Sequence, residues 1–254
     1  MPFIEYLTRN IYYQIKDLET DKAIIFIHGS GGNSDIWKEQ LNIDVNYKLI
    51  TMDLPSHGES DEFDQLNLEL YTNVVQKLIT VLNLKHVIIA GHSLGGAVAQ
   101  NLYFTLPNLI SGLILIGTGG RLRVSPVILN TIKQNYQEYL KTLFIKAFSR
   151  KTDLKIIKEA RQEASRVPAS VTYSDFFICD KFDVLEKIEL ILVPCLIIVG
   201  RQDNLTPVKY SEFFHNKITQ SDLQIIEDAG HMVMIEKPNE VNEVIKQFLI
   251  KYFK

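Results

Sequence analysis

With 254 residues, 46% of them hydrophobic and 22% charged, the chain has the composition of a globular protein with a large buried core and not that of a disordered polymer. A formal net charge of −3 excludes the global positive field that draws proteins to nucleic acid or anionic lipid, and the basic stretches at Arg121, Arg123, Lys146, Arg150 and Lys151 are interleaved with apolar residues as on a solvated helix face. The first ten residues lack the layout of a secretion signal, no apolar run approaches bilayer length, and only Cys179 and Cys195 offer thiols, so a soluble cytoplasmic protein without a membrane span is expected.

Residues 3–7 and 11–15 alternate in polarity around Thr8, Arg9 and Asn10, which predicts an antiparallel hairpin at one edge of a sheet. Short runs rich in Ile, Val and Leu follow at 23–27, 48–52, 87–90, 113–116, 195–199 and 223–226. Between them, 68–82 and 94–106 carry apolar residues at helical spacing, and Pro238 opens a last helix to about Phe253. This alternation is that of an α/β fold with a mostly parallel central sheet flanked by helices. It breaks from about Arg121 to Lys187, where consecutive helices are expected over 126–148, 154–165 and 171–182. The expected organisation is a core of residues 1–120 and 188–254 with a helical cap, 121–187, inserted in it.

Gly91-His92-Ser93-Leu94-Gly95 follows an apolar strand and precedes a helix, the context that turns G-x-S-x-G into a nucleophile elbow with the serine hydroxyl exposed above the sheet. A serine hydroxyl needs a base, and the base needs a third group to hold its tautomer. The loop after the last strand run, Glu227-Asp228-Ala229-Gly230-His231, supplies His231 as base, and the exit loop of the preceding strand supplies Asp203 as the orienting acid, with Asp228 as the alternative. His92 adjoins Ser93 where neighbouring side chains diverge and is expected to pack beneath the turn, while His86 and His215 fall at element ends. An oxyanion would find two backbone amides, Leu94 on the elbow and Ser30 in the glycine-rich His28-Gly29-Ser30-Gly31-Gly32. No phosphate-loop pattern and no metal-ligand spacing occurs, so no nucleotide, metal or cofactor is implied.

His28-Gly29, the segment Asp53-Leu54-Pro55-Ser56-His57-Gly58-Glu59-Ser60, the elbow, Asp203 and His231 together resemble the α/β-hydrolase superfamily over almost the whole chain. The resemblance implies the serine machinery shared by carboxylesterases, monoacylglycerol lipases, carbon–carbon bond hydrolases and cofactor-free haloperoxidases, with His57 and Ser60 as structural residues of the turn after the fourth strand. Ser93 stands where haloalkane dehalogenases carry aspartate, which sets that chemistry aside. The expected activity is hydrolysis of a small carboxylic ester through an acyl-enzyme, with Tyr136, Tyr139, Phe144, Phe148, Phe176 and Phe177 of the cap as candidates for an apolar acyl pocket. Two alternatives stay open: a carbon–carbon hydrolase that would use Arg121, Arg123 or Arg201 on a substrate carboxylate, and a ligand-binding protein that keeps a hydrolase pocket. The ligand in each case is a small molecule, the receptor-like reading adds a partner to which the cap signals, and the sequence is silent on that partner and on oligomeric state.

Overall fold

β-Branched residues are frequent in the sheet-forming runs, and the central strands are buried almost without a break, as strands covered on both faces are. The computed structural model describes residues 2–253. Its strands are β1 Phe3–Tyr6, β2 Arg9–Lys16, β3 Lys22–Ile27, β4 Lys48–Met52, β5 His86–His92, β6 Ile110–Ile116, β7 Cys195–Gly200 and β8 Ser221–Ile226. Its helices are α1 Leu68–Val81, α2 Leu94–Thr105, α3 Pro126–Gln134, α4 Tyr136–Ala147, α5 Leu154–Ala164, α6 Ala169–Lys181, α7 Val208–Lys217, α8 Val233–Glu236 and α9 Pro238–Tyr252. The strands form one eight-stranded sheet in the order β1-β2-β4-β3-β5-β6-β7-β8. The opening hairpin pairs antiparallel within itself and onto β4, and every other neighbour pair is parallel.

Alternate side chains of the central strands feed two separate cores. Ala23, Ile25 and Ile27 of β3, Val87 and Ile89 of β5 and Leu113 and Leu115 of β6 meet α1 and α2 on one face, where Tyr71, Val75 and Val98 are fully buried. Ile24, Phe26, Ile88, Ala90, Ile114 and Ile116 meet Trp37 and α9 on the other. A polar substitution at any of these positions would strip a ladder-forming strand of cover on one face, so the sheet's interior is specified by composition as well as by pattern.

Helices α3 to α6 lie between β6 and β7, and both ends of this segment leave the core at one place. Arg121 bridges Asp183, the Val184 N–H donates to Gly120 O at 2.7 Å, and the Leu122 N–H donates to Phe182 O at 3.4 Å. The single helix expected over 126–148 is two helices. Asn135, at φ −152° and ψ 82°, ends α3 and caps α4 by accepting the Glu138 N–H at 3.1 Å. An Asn followed three residues later by Glu is the pattern that starts a helix, and here it restarts one. Ile132, Tyr139, Leu140, Phe144, Ala147 and Phe148 form a third, smaller cluster within the segment.

Candidate active site

Strand β5 runs into α2 through Ser93, whose φ of 52° and ψ of −114° place a non-glycine residue in a costly region of backbone space. The turn closes only because Gly91 and Gly95 carry no side chain. A Cβ on Gly91 would come within 2.2 Å of Gly95 O, and one on Gly95 within 2.3 Å of Ile27 O. Both obstacles are backbone, so Gly95→Ala is expected to destabilise the protein by about 1–3 kcal/mol, read as a lowered thermal unfolding midpoint. Held this way, Ser93 stays partly exposed among buried neighbours and lines a cavity of about 680 Å³. The Leu94 N–H, at the first position of α2, has no intrahelical acceptor, and the Ser30 N–H has no hydrogen-bond partner among the described residues. The free amide at a helix start faces developing negative charge favourably.

His231 follows β8 on a buried loop whose own amide donates to Ala147 O at 2.7 Å. Its Nδ1 lies 2.9 Å from Asp203 Oδ2 and 3.2 Å from Thr206 Oγ1. Asp203 Oδ1 accepts the Leu205 and Thr206 N–H groups, each at 2.8 Å, and Oδ2 also accepts the Thr206 hydroxyl at 2.8 Å. Burial opposes ionisation of Asp203, but the neighbouring His231 and the Thr206 donors outweigh it and hold the carboxyl below its ordinary value. The imidazole proton therefore sits on Nδ1, and the Nε2 lone pair is left for the cavity that His231 and Ser93 both line. Ser93 Oγ makes no hydrogen bond among the described residues, as is common before substrate binds. Asp228, the alternative acid, instead pairs with Lys151 at 2.8 Å on the surface.

Three further histidines support the site. His92 is buried against His231, ring centres 4.5 Å apart, and its Nε2–H donates to His231 O at 3.0 Å, so it braces the histidine loop from beneath. His28 accepts the Leu54 N–H on Nε2 at 3.0 Å and donates from Nδ1 to Gly29 O at 2.8 Å, which fixes one neutral tautomer. Its burial and the adjacent His57 push its pKa down to about 3. His57 is different. Its Nδ1 faces Pro55 O at 3.0 Å and its Nε2 faces Asp175 Oδ2 at 2.9 Å, so both nitrogens must carry protons. Burial opposes that charge, yet Asp175, the Pro55 carbonyl and Asp53 together raise the pKa above the ordinary value. Ser60 donates to Asp53 O at 2.8 Å and accepts the Tyr12 N–H at 2.9 Å, tying the turn after β4 to the hairpin.

Residues 24–244 match the family model described as "Alpha/beta hydrolase family". The chain belongs to the alpha/beta hydrolase family. Among solved structures, one titled "Structure of a thermophilic esterase" superposes with a TM-score of 0.88 at 36% identity, covering 98% of this chain and 96% of that one. The esterase EaEST from Exiguobacterium antarcticum superposes with a TM-score of 0.90 over 98% of both chains, at 20% identity, a likeness of fold. The "Putative esterase/lipase 2" of Mycoplasma genitalium is 27% identical over 94% of this chain and 93% of its own length. "Protein ABHD8" of Mus musculus is also 27% identical over 92% of this chain, but the chain spans only 56% of that protein.

In this member of the alpha/beta hydrolase family the cavity reaches from Ser93, His92 and His231 to the helices between β6 and β7. Tyr136, Tyr139, Phe144 and Phe176 line it, with Ile128, Leu140, Leu143 and Ile156 adding aliphatic surface. Phe148 and Phe177 do not. Phe148 ends α4 and packs on Phe144 at 5.9 Å between ring centres, inside the segment's own cluster. Phe177 follows Phe176 by one helical residue and so turns away, 45% exposed, stacked on Tyr173 beneath the Lys181 ammonium. Arg121 pairs with Asp183 and Arg201 with Glu227, both off the cavity, and only Arg123 of the three arginines lines it. Among the described residues no cluster of His, Cys, Asp and Glu is arranged to hold a metal ion, and no helix is long and apolar enough to cross a membrane. Asp175 and Tyr71 carry no signal in the sequence that would single them out, because their partners lie in other elements, whereas Thr206 bonds Asp203 three residues before it in the same loop.

Proposed function

We propose that this hydrolase cleaves small carboxylic esters through an acyl-enzyme formed on Ser93. The observation that carries this reading is one cavity lined by a strained Ser93, by His231 with its Nδ1 on buried Asp203, and by a glycine-rich loop with an unpartnered Ser30 N–H. His231 takes the Ser93 proton on Nε2 as Oγ attacks the ester carbonyl, and Asp203 stabilises the imidazolium that forms. The carbonyl oxygen gains its charge between the Ser30 and Leu94 N–H groups. The tetrahedral centre collapses with transfer of the His231 proton to the leaving alcohol, and water, deprotonated by the same histidine, then releases the acid.

Residues 121–187 act as a cap that excludes water and contacts the acyl chain with Tyr139, Leu140, Phe144 and Phe176. Carbon–carbon cleavage is the weaker reading, because of its candidate carboxylate anchors only Arg123 lines the cavity, where Glu159 and Glu163 oppose it. The likeness to a thermophilic esterase at 36% identity supports the ester. The test is the initial rate on p-nitrophenyl esters of graded acyl length. Turnover with an optimum at a chain that fills the cavity is expected, while a folded enzyme inert to every ester would overturn the reading.

A further inference from the structure

One face of α6 rests on the loop that follows β3. Thr172, Asp175 and Cys179, spaced for a single helix face, all reach it. A Cβ on Gly31, whose φ is +64°, would lie 3.1 Å from Thr172 Oγ1, and Cys179 Sγ lies 3.5 Å from Ser30 Oγ. Asp175 makes the decisive contact: its Oδ2 accepts the Gly31 N–H at 2.8 Å. The same carboxylate accepts His57 Nε2–H at 2.9 Å and the Tyr71 hydroxyl at 2.7 Å, and Asp175 and His57 are both fully enclosed. A residue of the β6–β7 helices thus ties together the β3 loop, the turn after β4 and α1.

We propose that Asp175 is a positioning residue, reaching from the cap to hold the Gly31 amide so that the Ser30 N–H faces the acyl oxygen beside Ser93. This rests on the ester reading above. A charge-assisted bond is about twice as strong as a neutral one, which suits a clamp on a glycine-rich loop that has few side chains of its own. A bare carboxylate on the amide next to the oxyanion donor would oppose the charge that develops there. His57 removes that cost, because its ring, with acceptors on both nitrogens, supplies the compensating positive charge at 2.9 Å.

Asp175→Asn separates this role from simple packing. The amide has nearly the same shape, but with a neutral neighbour one His57 nitrogen lone pair faces an oxygen in either tautomer, and a flipped amide aims its NH2 at the Gly31 N–H. The variant is expected to lose about 10-fold in kcat with KM within about twofold, and Asp175→Ala about 100-fold, the size of losing one oxyanion donor. Hydrogen–deuterium exchange over residues 28–33 should accelerate in both, with the exchange of the central strands unchanged. Wild-type kcat in Asp175→Asn, a loss carried by KM, or a kcat loss with unchanged exchange in 28–33 would each overturn the proposal. If neither variant folds, Tyr71→Phe, which takes one donor from the carboxylate, is read by the same two measurements with about a threefold kcat loss expected. Should the wild type turn over no ester, the acyl-enzyme reading fails by itself, and exchange at 28–33 in Asp175→Asn alone decides whether the clamp exists.

Discussion

Ser93→Ala is expected to lower kcat on a p-nitrophenyl ester by about 10⁴-fold or more, with little change in the thermal midpoint. The two halves of this expectation come from different features. Among the described residues Ser93 Oγ makes no hydrogen bond, and Ser93 lines a cavity, so its removal leaves no buried group unsatisfied. The strain at φ 52° belongs to the backbone and persists in the variant, because alanine pays the same steric cost in that region. What is lost is the nucleophile alone. The Ser30 and Leu94 amides and the cavity remain, so a residual rate above that of water is expected together with a KM close to wild type. A fluorophosphonate probe should label the wild type at Ser93 and leave the variant unmodified. A variant that hydrolyses the ester within tenfold of the wild-type rate would place the nucleophile elsewhere.

The sheet was legible wherever burial and strand pattern coincide. Residues 48–52 form β4 with the expected bounds and the later strands gain one to three residues, but the opening hairpin turns at Leu7 and Thr8, both at positive φ, so its first strand loses Leu7 while Arg9 and Asn10 open the second. The elbow was legible because a motif and its strand-to-helix context lie together in the chain, and the proximity of Ser93, His231 and Asp203 followed from parallel strands whose exit loops share one end of the sheet. The helices between β6 and β7 were harder. Asn135 interrupts an apolar period that runs straight through it, and a period cannot report a break of one residue. Phe176 and Phe177 are equivalent in composition and differ only in helical phase against neighbours that the sequence does not place. Asp175 is the sharpest case. Set among Tyr173, Phe176 and Phe177, it reads as the polar side of a helix, whereas it is wholly buried because donors from three other elements converge on it, His57 from 118 positions away. Long-range polar satisfaction of this kind leaves no local trace.

Asp203→Asn should be nearly as damaging as loss of the serine, by about 10⁴-fold in kcat, although it changes one atom outside the reacting bonds. The Asp203 carboxylate accepts four donors, two backbone N–H groups on Oδ1 and the Thr206 hydroxyl and His231 Nδ1–H on Oδ2. Asparagine has one acceptor oxygen. If it stays with the Leu205 and Thr206 amides, the NH2 group faces His231 Nδ1, which must then accept, and the ring proton moves to Nε2, where it blocks abstraction from Ser93. Stability gives an independent reading of the same carboxylate. Its folded pKa lies below the ordinary 3.8, so its contribution to stability is present above that value and is lost as pH falls through the folded pKa. The thermal midpoint of the wild type should therefore exceed that of Asp203→Asn at neutral pH, and the gap should close in acid. A variant that keeps its rate would free Asp203 from the orienting role, and Asp228 could not inherit it while held by Lys151 at 2.8 Å. That result would point to Thr206 Oγ1, 3.2 Å from His231 Nδ1, as the group that orients the ring, and a Thr206→Val exchange in the same background would expose that dependence.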